Sequence, residues 1–298
     1  MKKSKKQKPI QGALFKAIIR FFSWFPLRWN HRLGAMIGWL LWRIPNRARK
    51  ITAKNMAIAF ADYSPEQQQA LVKKALIETG KTFTELGPLW IWSQARLLPL
   101  VKRIEGEDPI KQAFEQGKGV IVLSPHIGAW EMMGWYWSVH YQITSLYRPP
   151  RIGSIEGFMR HVRERAGANL VPTDLTGVKA LRRALKANQM IGILPDQDPG
   201  KSGGVIAPFF GHPANTMVLV SKLAAKADCP IFFTYAERLP RGEGYVLHIK
   251  PADPALASLD EFEAASALNQ GVEGCVRHLP SQYQWSYNRF KHLKQHGS

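Results

Sequence analysis

Val120-Ile-Val-Leu-Ser-Pro-His126-Ile-Gly-Ala-Trp-Glu131 is the stretch that decides the fold. Four apolar residues stop at Ser-Pro, a histidine follows, and a small turn leads to a glutamate. An apolar run of this length bounded by turn residues reads as a fully buried strand. Glu131 stands where the next helix begins. A buried strand that ends at a loop can hold titratable groups in a cleft, and histidine is the side chain best suited to moving a proton there. His126 and Glu131 are five apart, roughly 500° on a continuous helix, and would not share a face. The turn through Gly128 and Ala129 lets them fold back together. The expectation is a His126–Glu131 pair, with the carboxylate on one ring nitrogen and the other nitrogen open to an alcohol proton.

Outward from this stretch the pattern alternates. Strands are expected at Val120–Leu123, Ile143–Tyr147, Asn169–Val171, Met190–Leu194, Ile231–Ala236 and Tyr245–Ile249, and a Gly-rich loop leads to Ile206–Phe210. Helices are expected at Glu131–Val139, Ile155–Arg165, Val178–Lys186 and Met217–Ala227, with a mostly helical tail from Leu259. Upstream, Ser64-Pro65-Glu66 combines an N-cap, a first-turn proline and an acid at the positive end of the dipole. It opens a helix expected to reach about Ser93. Alternating strands and helices imply an α/β fold with a mostly parallel central sheet flanked by helices. No linker divides residues 62–298, which are read as one catalytic domain.

In such a sheet, ligands sit beyond the carboxyl ends of the strands. His126 follows one strand end. Arg148 follows a second, with Arg151 nearby, and Asp196, Gln197 and Asp198 follow a third. A base, a cation and an acid thus converge. Arg163, on the helix after the second strand, is a candidate for holding an oxyanion or a phosphate, against a solvated basic face that also includes Arg160 and Arg165. Gly-x-Ser-x-Gly is absent and Ser124 lacks that turn, so direct attack by a substrate hydroxyl is the simpler chemistry. No His-Glu-x-x-His or second histidine at ligand spacing accompanies His126, so no metal is expected. His140 reads as structural. Lys201 lies in Gly200-Lys-Ser-Gly-Gly204, which lacks the phosphate-loop pattern, and nucleotide hydrolysis is excluded.

The charge is unevenly placed. The formal net charge is +19, yet no Asp or Glu precedes Asp62, and residues 1–61 carry 14 of the 41 Lys and Arg. Trp24, Trp29, Trp39 and Trp42 share that segment. Basic residues with Trp and Leu suit an anionic membrane surface. A solubilising tail is the blander reading. Nucleic-acid binding has no zinc-finger or RNP-type motif behind it and is not expected. Gly12–Phe25 and Leu33–Trp42 are each too short to span a bilayer, which needs about 20 apolar residues. Residues 1–61 are therefore expected to be a membrane-docking helical arm, with a lysine-rich tail at Met1–Lys8. Cys229 and Cys275 form no metal spacing and suggest a reducing compartment.

The ordered blocks resemble the late acyltransferases of bacterial lipid A biosynthesis (lauroyl/myristoyl-type) of the lysophospholipid acyltransferase superfamily. Gly117-Lys-Gly-Val-Ile-Val-Leu-Ser-Pro-His126-Ile-Gly-Ala-Trp-Glu131 resembles the family's His-x4-Asp/Glu motif. Tyr147-Arg148-Pro149, Leu194-Pro-Asp196-Gln197-Asp198, Ala207-Pro-Phe-Phe-Gly211-His-Pro-Ala and Gln282-Tyr-Gln-Trp285 with Arg289-Phe-Lys291 resemble its later blocks in order. Asn55-Met-Ala-Ile-Ala-Phe60 also fits. Tyr287-Asn288 departs from the His-Arg of many members. The resemblance implies a glycerolipid acyltransferase-like fold and acyl transfer from acyl carrier protein to a hydroxyl of a lipid A precursor. The setting implied is the cytoplasmic face of the bacterial inner membrane, with no cofactor. His126 would be the general base, Glu131 its orienting partner, Arg163 a catalytic-site arginine and Asp196 a retained acid. Arg148, Arg151 and Gln197 are expected at the substrate. The alternatives are an acyltransferase acting on a glycerophospholipid or another bacterial glycolipid, and a non-enzymatic basic protein binding membranes or nucleic acid.

Overall fold

The computed structural model describes residues 9–150, 152–200 and 202–291. The expected tail at Met1–Lys8, together with Arg151 and Lys201, lies outside them. The chain begins with four helices: α1 (Pro9–Ser23), α2 (Leu27–Arg43), α3 (Arg47–Ala59) and α4 (Pro65–Ile91). A short helix α5 (Gln94–Leu97) leads into the sheet region. There follow β1 (Val101–Glu105), α6 (Asp108–Glu115), β2 (Val120–Leu123), α7 (Trp130–His140), β3 (Ile143–Tyr147), α8 (Glu156–Glu164), β4 (Asn169–Pro172) and α9 (Leu175–Lys186). The rest comprises β5 (Met190–Ile193), β6 (Gly204–Phe209), β7 (His212–Met217), α10 (Leu219–Ala227), β8 (Ile231–Arg238), β9 (Tyr245–Pro251) and α11 (Glu261–His278).

Seven strands form the main sheet in the order β1-β9-β8-β2-β5-β3-β4. Every pairing is parallel except β8 with β9. The fold is therefore the expected α/β sheet flanked by helices. All four residues of β2 are fully buried, because each face of the strand meets a different core. Val120 and Val122 face α7 and α8; Ile121 and Leu123 face α9, α10 and α11.

Two strands have no counterpart in the sequence reading, and two expected helical stretches differ in extent. Val101–Glu105 is a strand, although the exposed Lys102 and Arg103 give this edge no alternating signature. His212–Met217 is also a strand, paired antiparallel with β6 across the left-handed Phe210-Gly211 turn. The helix expected from Met217 accordingly starts at Leu219. Beyond α11 the chain leaves the helical state after His278 and runs irregularly back across the strand ends.

The helix expected from Ser64 is present. The Ser64 hydroxyl accepts from the Gln67 N–H, and the Gln67 side chain accepts from the Ser64 N–H, a full capping box. The α4 helix is the backbone of the N-terminal layer. Gly34 and Gly38 of α2 meet Gly80 of α4 so closely that a Cβ on Gly80 would lie 2.0 Å from the Gly34 carbonyl oxygen. Among the described residues no helix is long and apolar enough to cross a membrane.

A buried ionic knot ties α4 to the sheet. Arg238 at the end of β8 donates to both Glu85 oxygens and to Glu78. His31 of α2 lies 3.2 Å from Glu85, and the Tyr245 hydroxyl donates to it. Burial alone would raise the Glu85 carboxyl, but the Arg238 charge and its hydrogen bonds bring it down to about 2. The stabilisation from this lowered value is complete above the ordinary carboxylate range and is lost as pH falls toward about 2. Glu85→Gln leaves the buried Arg238 with Glu78 as its one remaining carboxylate among the described residues and should cost about 3 kcal/mol in denaturant titrations at neutral pH. A loss within the ±0.5 kcal/mol or so typical of surface changes would show that the knot does not hold the layers together.

Candidate active site

The strand ends converge as their order requires. β2, β5 and β3 are neighbours, so the residues after them meet. The chain leaves β2 through Ser124, whose N–H donates to Ile193 O at 2.9 Å and whose hydroxyl bonds Thr234 at 2.8 Å. The His126 loop is then clamped from two sides. Ala129 N–H donates to Ala236 O at the end of β8. Gly128 N–H donates to Gln282 O, and Gln284 N–H donates to His126 O. Gly128 has φ +57°, and a Cβ there would lie 1.9 Å from Ala236 O, so only glycine fits.

The geometry assigns the two carboxylates differently from the expected pairing. His126 Nδ1 lies 2.8 Å from Asp196 Oδ1, and the His126 backbone N–H donates to Asp196 Oδ2 at 3.2 Å. Glu131 turns instead to Arg163, which donates to both of its oxygens, and to Trp90, whose Nε1 donates at 3.0 Å. The reason is positional. The loop carries the His126 ring over the end of β5, whereas α7 points Glu131 toward α8 and α4.

Both acids are held ionised. Burial pushes Asp196 up, but the adjacent His126 charge and its hydrogen bonds outweigh this and keep the carboxyl below the usual aspartate value. Glu131 is likewise lowered: burial opposes it, and the Arg163 charge and hydrogen bonds overcome that opposition. An ionised Asp196 only accepts, so whenever the His126 ring is neutral its one proton sits on Nδ1. Nε2 is then left with its lone pair. Gln197 Nε2 lies 3.3 Å from it and also donates to Gln284 Oε1 at 3.1 Å, so one amide hydrogen serves each partner. An imidazole so arranged can take a proton at Nε2 while Asp196 stabilises the resulting cation.

His126, Glu131, Arg163, Arg148 and Gln197 all line one cavity of about 460 Å³. Asp196 stands behind the histidine, buried to 3% exposure. Arg148 is exposed at the cavity wall. The Arg163 guanidinium lies 5.8 Å from the Trp90 ring centre and 5.7 Å from that of Tyr147. The cavity straddles the sheet edge. One part runs along α7 past Gly134 and Ser138, with Val162, Ala168 and Leu170; another reaches Val178, Met217 and Leu219. Neither cysteine competes as a nucleophile: burial pushes the Cys275 thiol up to about 12 and the Cys229 thiol to about 11. Among the described residues no cluster of metal-ligating side chains occurs.

Sequence reasoning missed Trp90, which reaches Glu131 from α4, and Gln284, which positions Gln197. Neither carries a local signal. The closing motif offered the only pointer to Gln284, and its physical role is now visible. Asn55 of α3 donates to Trp285 O and Tyr287 O, the Tyr287 hydroxyl accepts from Asp198 N–H, and Arg289 donates to Asn215 O. The upstream and closing blocks therefore hold one another beneath the site.

Residues 2–292 match the family of bacterial lipid A biosynthesis acyltransferases. The chain belongs to that family. Its relatives include the lipid A biosynthesis palmitoleoyltransferase of Escherichia coli (strain K12), 27% identical over 263 residues that cover 87% of this chain and 84% of the relative. The lauroyltransferase of the same organism is also 27% identical, over 88% of this chain and 85% of its own length. The myristoyltransferase is 21% identical over 90% and 83%. The chain is thus an acyltransferase.

The Asp196–His126 geometry makes a prediction independent of turnover. In Asp196→Asn the amide oxygen must stay on the His126 backbone N–H, an obligate donor, which turns the NH₂ toward Nδ1. The ring proton should move to Nε2, visible in the ¹⁵N shifts of labelled His126. A variant that keeps the proton on Nδ1 would contradict the assignment.

Proposed function

We propose that this acyltransferase moves a fatty acyl chain from acyl carrier protein to a hydroxyl of a lipid A precursor. The observation that carries the mechanism is the Asp196–His126 contact with Nε2 facing the cavity. The family membership and the names of its relatives support the acceptor class. The acceptor hydroxyl takes the place of the Gln197 amide at Nε2. His126 removes its proton as the oxygen attacks the thioester carbonyl carbon. A C–O bond forms, the C–S bond then breaks, and the imidazolium returns the proton to the leaving thiolate. A thioester is already activated, so neither cofactor nor metal is required for this balance.

Glu131 and Arg163 form a second unit. Glu131 charge-balances and orients the guanidinium rather than the imidazole, and Arg163 places positive charge beside the developing oxyanion. Arg148 suits an acceptor phosphate or the donor's phosphate linker. The apolar part of the cavity along α7 suits the acyl chain, whose burial is favourable by about 0.8 kcal/mol per methylene.

The α1–α2 surface supports docking at the cytoplasmic face of the inner membrane. Ile10, Leu14, Trp24, Trp29, Met36 and Trp39 are all exposed there among basic residues. Arg32 and Arg43 lie over the Trp29 and Trp39 rings. Isolated exposed apolar residues are ordinary, but a run of tryptophans set in positive charge is the composition of an interfacial surface. Phe15 of α1 packs on Trp90, so this surface adjoins the catalytic cavity.

A purified assay with acyl carrier protein of defined chain length and an under-acylated lipid A precursor tests the reaction. His126→Ala, Glu131→Ala and Asp196→Asn should each lose at least about a hundredfold in kcat, the scale of a general base and its supports. Undiminished transfer by folded His126→Ala would overturn the mechanism. For the membrane, a deletion of α1 and α2 would also strip the packing of α4. Replacing Trp24, Trp29 and Trp39 together by Ser is the cleaner change. It should release the protein from anionic vesicles in sedimentation assays without lowering the melting temperature; unchanged sedimentation would count against interfacial docking.

A further inference from the structure

The helix α9 carries Lys179, Arg182, Arg183 and Lys186. Their spacing of i, i+3, i+4 and i+7 puts all four on one face. Gly177, Leu181, Ala184 and Leu185 are buried on the opposite face. All four cations are exposed. There is no acid within α9, and none of the four forms an ion pair among the described residues. Some basic residues elsewhere on the surface are paired: Lys111 with Glu107, Arg160 with Glu164, and Lys222 with Glu261. The one carboxylate at the head of α9, Asp174, is engaged as the N-cap by the Thr176 and Gly177 N–H groups.

Like charges at these spacings disfavour an isolated helix; Arg183 and Lys186 in the last turn suit the negative end of the helix dipole, but Lys179 and Arg182 have no such role. The position of the stripe relates it to the cavity. Val178, one residue before Lys179, lines the cavity, and so does Thr173 just before α9. Leu175, four residues before Lys179 on the same face, is 80% exposed. The outer face of α9 therefore reads, from the cavity outward, as one apolar contact and then four cations over about 10 Å of helix.

We propose that this face is the docking surface for the acidic carrier protein that brings the acyl thioester. The proposal rests on the donor reading given under Proposed function. An acidic protein surface with an apolar residue at one end complements the stripe in both charge and order. Docking there sets the carrier beside the cavity wall at Val178, so its thioester enters at the strand ends. An anionic bilayer is the weaker match. The stripe has no aromatic residue, and α9 covers the sheet face shared with α10 and α11, whereas α1 and its exposed apolar side chains adjoin α8 on the other face.

The test measures initial rates of the full-length protein with acyl carrier protein as donor, over a range of salt. Lys179→Glu with Arg182→Glu and Arg183→Glu should raise KM for the acyl carrier at least tenfold, keep kcat within about threefold, and flatten the rise of KM with salt seen in the native protein. Lys179→Gln with Arg183→Gln should give a smaller rise in the same direction. Melting temperatures near the native value establish that the fold is retained. An unchanged KM in the folded charge-reversed protein overturns the proposal. So does loss of binding to anionic vesicles with KM for the carrier unchanged, which would give the stripe to the membrane. Native protein that transfers from another thioester but never from acyl carrier protein would overturn the donor reading itself, and the docking proposal with it.

Discussion

The site depends on the clamp around residues 126–129. A strand end by itself leaves its loop free, and a histidine on a free loop has no defined partner. Here Ala236 O takes the Ala129 N–H, Gln282 O takes the Gly128 N–H, and His126 O receives the Gln284 N–H. The Gln282 side chain adds two more bonds to the Arg238 backbone, fixing the closing segment to β8. Once the loop is held this way, the ring falls on Asp196 and Nε2 faces the cavity. The same Arg238 reaches the Glu85 knot, so the clamp and the packing of the N-terminal layer share a residue.

The site divides its charges into two couples. His126 is paired with Asp196, and Arg163, a fixed positive charge, is paired with Glu131. Each buried charge is matched at close range, which is the condition for keeping it ionised away from water. Trp90 and Tyr147 surround the guanidinium with rings, and Trp90 also spends its N–H on Glu131. The two couples stay separate because α7 begins only after the turn, so five residues of sequence become two directions in space.

Much of the fold was legible because it is local. The apolar runs of β2 and β3 give their bounds, and Ser64-Pro65 with Gln67 gives the start of α4. The meeting of His126, Arg148 and Asp196 was legible too, since it follows from parallel topology. The partners were not. His126 and Asp196 are 70 residues apart and Glu131 and Arg163 are 32 apart, so no spacing rule joins them. Nearness in sequence suggested the wrong carboxylate for the ring. The strand β7 was hidden because His212-Pro-Ala-Asn-Thr lacks apolar alternation and is a strand only through its pairing with β6. The close approach of Gly34 and Gly38 to Gly80 was equally invisible, since each glycine alone reads only as a weak helix former.

The crossing of Gln284 over the His126 loop also bears on the birth of the protein. His126 emerges from the ribosome long before the segment that seats it, and chains begin to organise from the N-terminal end. Until Gln282 and Gln284 arrive, the loop lacks two of its backbone partners and Gln197 lacks the oxygen that aims its amide. A nascent chain whose four N-terminal helices have already packed would therefore still lack the arrangement that seats the His126 ring. The geometry at His126 waits on a segment more than 150 residues downstream.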